Sequence, residues 1–162
     1  IGVAVLGFFM SLGAYASGVP IVGTVDSKCV VTTDTFGVYG NPSPSILSTD
    51  AADGGVLPII RYDVIQADYY KALITYPISF SESPALSDVV NWSGDVSVHE
   101  VSDAGMSAYD NSKVEYNNST EIELSIAGST WFKVESEADY GYNKAFPAGT
   151  YRAVVEAQCI AI

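Results

Sequence analysis

Apolar residues recur at every second position along most of the chain, in short runs separated by Gly, Pro, Asn, Asp and Ser. A period of two predicts β-strands, because successive side chains of a strand point to opposite faces. No stretch keeps a helical period for longer than a turn or two. Strands are expected at residues 17–26, at 29–33, at 57–65, and in the long alternation of Tyr70, Ala72, Ile74, Tyr76, Ile78 and Phe80, where Pro77 marks an edge or a bend. Val96 and Val98 alternate with Ser97 and His99. Residues 120–128 and 129–135 read as a hairpin turning at Ala127-Gly128, with Ile122, Leu124 and Ile126 inward. The last run places Tyr151, Ala153, Val155, Ala157 and Cys159 on one side and Arg152, Glu156 and Gln158 on the other. Turns or loops are expected at residues 40–44, 50–55 and 93–95. About seven or eight short strands with turns between them predict an all-β chain, an immunoglobulin-like antiparallel β-sandwich.

The length of 162 residues suits one domain. Hydrophobic residues make up 48% and charged ones 16%, with 11 Tyr, 14 Gly and 7 Pro, a mix that fits a β-rich exported domain. The net charge of −12 comes from 19 acidic against 7 basic residues. The basic side chains stand singly at Lys28, Arg61, Lys71, Lys113, Lys133, Lys144 and Arg152, so no basic patch exists for nucleic acid or anionic membrane. The acidity reads as solubility and mutual repulsion between copies.

Residues 1–16, IGVAVLGFFMSLGAYA, are apolar and uncharged and end in the small-x-small pattern Ala14-Tyr15-Ala16. They are expected to be a signal peptide, since a membrane anchor needs about 20 apolar residues. The mature chain, from Ser17, is then exported and not inserted in a membrane. In an oxidising compartment Cys29 and Cys159 pair most simply as a disulfide closing a loop of about 130 residues, worth about 4 to 5 kcal/mol in the chain-entropy model. His99 is the only other soft ligand, so no metal site is expected.

Signatures of nucleophilic, zinc-dependent, phosphate-binding or calcium-binding sites are absent from the sequence. Glu121 with Glu123, and Glu135, Glu137 and Asp139, fall on outward strand faces rather than across a cleft, which argues against a glycosidase pair. No catalytic residue and no cofactor are expected. Trp92, Tyr140 and Tyr142 are candidates for stacking on sugar rings, the basis of an alternative reading as a secreted monomeric carbohydrate-binding protein. Trp131, beside Phe132, reads as ordinary core or rim packing. Asn91 and Asn117 lie in glycosylation sequons that matter only in a eukaryotic secretory route.

The strand at residues 17–26 is not needed to begin the sandwich, because the run from Cys29 already supplies a first strand. Its use then lies outside its own subunit, the alternative being that residues 17–26 pair within their own domain as an ordinary edge strand. A sandwich lacking a strand presents open backbone groups and an apolar groove, and an extended segment from a neighbour can fill both. Strand addition of this kind is known from chaperone–pilin complementation. Backbone bonds supply affinity, Val19, Ile21 and Val25 enter pockets, and Gly23 marks a close approach.

Three stretches carry a family resemblance. IVGTVD at residues 21–26, ADGGVLP at 52–58 and AGTYRAVV at 148–155 stand in that order, with SPALSDVVNWSGDVSV between the last two. The chain resembles the major pilin subunits of colonisation-factor-type fimbriae, the alpha-fimbriae of the alternate chaperone–usher pathway, from whose typical members Cys29 and Cys159 depart. The resemblance implies an incomplete immunoglobulin-like domain at residues 28–162, preceded by a donor strand at 17–27. It implies a periplasmic chaperone and an outer-membrane usher as assembly partners, and identical subunits as partners in an extracellular fimbria. It further implies that Val19, Ile21, Gly23 and Val25 occupy the groove of the next subunit, and that Tyr151, Ala153, Val155 and Ala157 lie on the strand bordering it.

Overall fold

The computed structural model of the chain describes Gly18, residues 20–25 and residues 28–162. The expected signal peptide and Val19 lie outside the described residues. In chain order the strands are β1 (Cys29–Thr35), β2 (Gly40–Ser43), β3 (Ile46–Ser48), β4 (Ile59–Val64), β5 (Tyr70–Thr75), β6 (Asn91–Val101), β7 (Val114–Tyr116), β8 (Ser119–Glu123), β9 (Gly128–Asp139) and β10 (Glu156–Ala161). Helix among the described residues is confined to short turns at Ala51–Asp53, Ala104–Ala108 and Tyr109–Ser112. The chain is all-β, as the period of two predicts.

The strands form two antiparallel sheets. In the first, the long β9 is flanked along one side by β6. Its other side pairs with β4 over Gly128 to Lys133 and with β3 over Glu137 to Asp139, while β1 lies outside β4 and β2 outside β3. The second sheet runs β10-β5-β8-β7. Inward positions of both sheets meet in a core whose largest fully buried side chains are Tyr62, Phe132, Ile74, Met106, Ile122 and Leu124. Tyr62 and Phe132 pack edge to face at 5.6 Å. The Tyr62 hydroxyl ends in the core by donating to the Gln158 carbonyl at 3.0 Å, which ties the first sheet to β10.

Several expectations are corrected. Residues 120–128 and 129–135 are not a hairpin. β8 belongs to the second sheet and β9 to the first, and the chain crosses the sandwich between them, with Leu124 still bonded to Tyr70 and Ile126 held by the Tyr109 hydroxyl. Gly128, at φ 141°, makes the change of direction. The turn expected at residues 93–95 is strand: β6 runs through it, and Gly94 is there because the Tyr76 ring lies 2.8 Å from where a Cβ would stand. The alternation from Tyr70 leaves the sheet after Thr75, and Phe80 joins an aromatic cluster instead. Residues 40–43 are a short edge strand that tolerates Pro42 because its far side is unpaired. Trp131, half-buried with Arg61 over its ring at 5.0 Å, packs at the rim, as ordinary core and rim packing allows, while Phe132 takes the core position. The turn at Asp50 is as expected, with its carboxylate capping Ala52 and Gly54 in the left-handed region.

Candidate functional site

The two sheets each end, on the same side of the molecule, in a strand with one unpaired edge: β1 in the first and β10 in the second. Cys29, at the start of β1, is joined to Cys159, near the end of β10, by a disulfide with a Cα separation of 6.3 Å. From that staple the rims run together, β1 towards Thr35 and β10 back to Glu156; the strand expected to continue through Val155, Ala153 and Tyr151 ends there, and those residues extend the rim as irregular chain. Between them lies an open groove of about 1020 Å³. Its floor is mixed, with Leu47, Pro58 and Ile60 beside the buried hydroxyls of Thr49 and Ser136 and the Tyr39 hydroxyl held at 2.7 Å from Ser136. Burial raises the Tyr39 phenol pKa above its ordinary value.

Hydrogen-bond parity fixes what the rims present. Ile65 N donates to the Lys28 carbonyl, so in the antiparallel pairing of β1 with β4 the residues bonded to β4 are the even ones. Val31 and Thr33 therefore turn their amide and carbonyl groups outward, along the groove. On the other rim, Ile162 N donates to the Tyr69 carbonyl, and Arg152 exchanges both backbone bonds with Glu82. Within β10 the even residues face β5, so Ala157 turns its backbone groups to the groove, while residues 151–155 run ahead of β10 outside the sheet, held at Arg152. The side chains of Ala153, Val155 and Ala157, with Tyr151, are the half-buried members of an alternation in which Arg152, Val154, Glu156 and Gln158 are exposed. Val31 on one rim and Ala157 on the other thus combine an unpaired strand edge with a half-buried apolar side chain.

Tyr151 stands at the end of the groove away from the disulfide. Its ring packs on Phe80 at 5.1 Å and Phe146 at 5.2 Å, and its hydroxyl donates to the Pro147 carbonyl at 2.6 Å. Burial there raises its pKa. Trp92 joins the cluster at 4.7 Å from Phe80, and Tyr140 stacks on Phe146 at 5.1 Å. Of the three rings proposed for sugar stacking, Tyr140 is buried, Trp92 half-buried and only Tyr142 exposed. They do not share an open platform.

Residues 20–25 form no strand and lie exposed, Ile21 at 99% and Val25 at 90%. Nothing lies within 4 Å of a Cβ placed on Gly23. The segment does not pair with its own domain as an ordinary edge strand. The acceptor residues named from sequence, Tyr151, Ala153, Val155 and Ala157, all line the groove. The opposite rim, Val31 and Thr33, was legible as part of a strand but carried no signal of a groove. The floor residues Leu47, Pro58 and Ile60 come from two separate segments and carried none.

Glu121 is paired with Lys71 at 2.7 Å, and His99 is exposed. Among the described residues no three His, Cys, Asp or Glu side chains are grouped to hold a metal ion, and no helix is long and apolar enough to cross a membrane. No protein-family model, curated protein or solved structure matches the chain.

Proposed function

We propose that the chain is a structural subunit of an extracellular fimbria that supports adhesion, an incomplete immunoglobulin-like domain completed by a strand from a neighbouring copy. The observation that carries this reading is the combination of an open, partly apolar groove between the unpaired edges of β1 and β10 with an apolar segment at residues 20–25 that lies exposed on its own domain. The occupant is residues 19–25 of the next copy. That stretch, VPIVGTV, carries no charge, which suits a strand donated between subunits that each bear −12. Val19, Ile21 and Val25 enter the groove, and Gly23 lies where the strand passes closest to its floor. Export through the periplasm, with a chaperone holding the groove and an outer-membrane usher ordering the exchange, belongs to the same reading. It rests on the family resemblance of the sequence.

Two complementary variants test it. Ile21→Asp/Val25→Asp keeps its groove but loses its donor face, and Ala153→Trp keeps its donor but fills its groove. Each alone is expected to stay monomeric, and an equimolar mixture to give a defined dimer by light scattering. Long oligomers from either variant alone, or no dimer from the mixture, would sink the proposal.

A further inference from the structure

This inference rests on the assembly reading above and adds a second contact to it. We infer that successive copies also dock end to end, with Ile65, Tyr69 and Ile162 of the donating copy seated on Phe36, Val38 and Val56 of the accepting copy. These two sets are exposed apolar clusters at opposite ends of the groove axis. The first surrounds the point where the N-terminal segment leaves the domain: Ile65 N donates to the Lys28 carbonyl at 3.0 Å, Lys28 N to the Tyr70 hydroxyl at 2.9 Å, and Ile162 N to the Tyr69 carbonyl at 3.0 Å. The second lies beyond the far end of β1, where Phe36 is 82% exposed and Val38 and Val56 exchange backbone bonds at 2.9 and 2.8 Å. Phe36 and Val38 also line the groove. None of the six side chains is charged.

Chain length forces these ends together. Only Asp26 and Ser27 separate Val25 from Lys28, a span of about 11 Å at full extension. When the segment is seated in a neighbour, the base of the donating domain is therefore held against whichever end of the groove the strand leaves. The end at Cys29 and Cys159 is tied by the disulfide and is where the accepting copy's own segment emerges. A strand leaving there would bring every base to one point and stop growth. Leaving at the Phe36 end, the strand runs parallel to β1 and antiparallel to β10. Each base then meets the next mouth in a heterologous contact that repeats without closing, as a fibre requires. It also covers apolar surface that would otherwise favour indiscriminate association.

The test uses the full chain. Ile65→Ser/Tyr69→Ser leaves groove and donor untouched. On the Ile21→Asp/Val25→Asp background it is expected to bind a synthetic peptide of residues 17–28 as its parent does. On the wild-type background its filaments are expected to shorten under shear at least about tenfold faster, a loss of roughly 1.4 kcal/mol per contact. Tyr69→Lys and Val38→Glu should each weaken the filaments, and the two on one chain should restore them. Filaments as durable as wild type, or single-charge variants that the combination does not rescue, overturn the docking while peptide binding leaves strand exchange standing. Failure of the parent to bind the peptide overturns both.

Discussion

Removing the disulfide should cost several kcal/mol of stability, and the cost follows from topology. Cys29 and Cys159 are separated by 130 residues, so the bond restrains nearly the whole described domain when it unfolds. In the chain-entropy model a loop of that size is worth about 5 kcal/mol. For a domain of this length each kcal/mol moves the midpoint by about 2–4 °C, which puts Cys29→Ser/Cys159→Ser about 10–20 °C below the wild type. The loss is felt in one place, because the disulfide is the covalent link between two rims whose strand pairing comes only from behind, β1 from β4 and β10 from β5. The assay is thermal unfolding of both proteins by circular dichroism without reductant, repeated on the wild type with reductant. A fall smaller than about 3 °C would refute the reasoning, since the rims would then be held by packing alone.

Tyr62→Phe removes a buried hydroxyl that donates to the Gln158 carbonyl and should cost about 1–1.5 kcal/mol in urea unfolding. Burial raises the phenol pKa values of Tyr62 and Tyr39 above the ordinary value near 10. Their stabilisation is therefore complete below pH 10 and lost as pH rises past it; the stability of wild type should fall steeply there, and that of Tyr62→Phe less so. Gly94→Ala drives a methyl group against the Tyr76 ring and the Glu135 carbonyl and should destabilise by about 1–3 kcal/mol, read as a lower midpoint. With like-charged subunits, assembly followed by light scattering should quicken between 0.01 and about 0.15 M salt, as the screening length falls from about 30 to 8 Å; slower assembly would mean that attraction between charges drives it.

Much of the fold was legible because a period of two is a local property. β4, β5 up to Thr75 and β10 appear where the pattern places them, whereas Tyr151, Ala153 and Val155 alternate in burial ahead of β10 without being part of the strand. What the pattern does not encode is which sheet a strand joins. β8 and β9 are adjacent and each alternates correctly, yet they sit in opposite sheets, a choice made by the burial of Met106 and Tyr109 beneath the crossing chain. Gly94 reads as a turn residue until the Tyr76 ring is seen to occupy the space of its missing side chain. The groove was half legible for the same reason. One rim follows from the alternation ahead of and along β10, while the floor at Leu47, Pro58 and Ile60 exists only once two separated segments are brought together. The exposed segment at residues 20–25 drew notice as a strand with no evident partner, and on its own domain it has none.

The most direct test of the central claim is the thermal midpoint of the oxidised full chain carrying Ile21→Asp/Val25→Asp, with and without excess synthetic peptide of residues 17–28. A strand that binds only the folded domain stabilises it by about 2.7 kcal/mol at a hundredfold excess over its dissociation constant, a rise of about 5–10 °C. That rise is the result the account predicts. A cooperative transition at a high midpoint that the peptide leaves unmoved would show a domain complete in itself and contradict it.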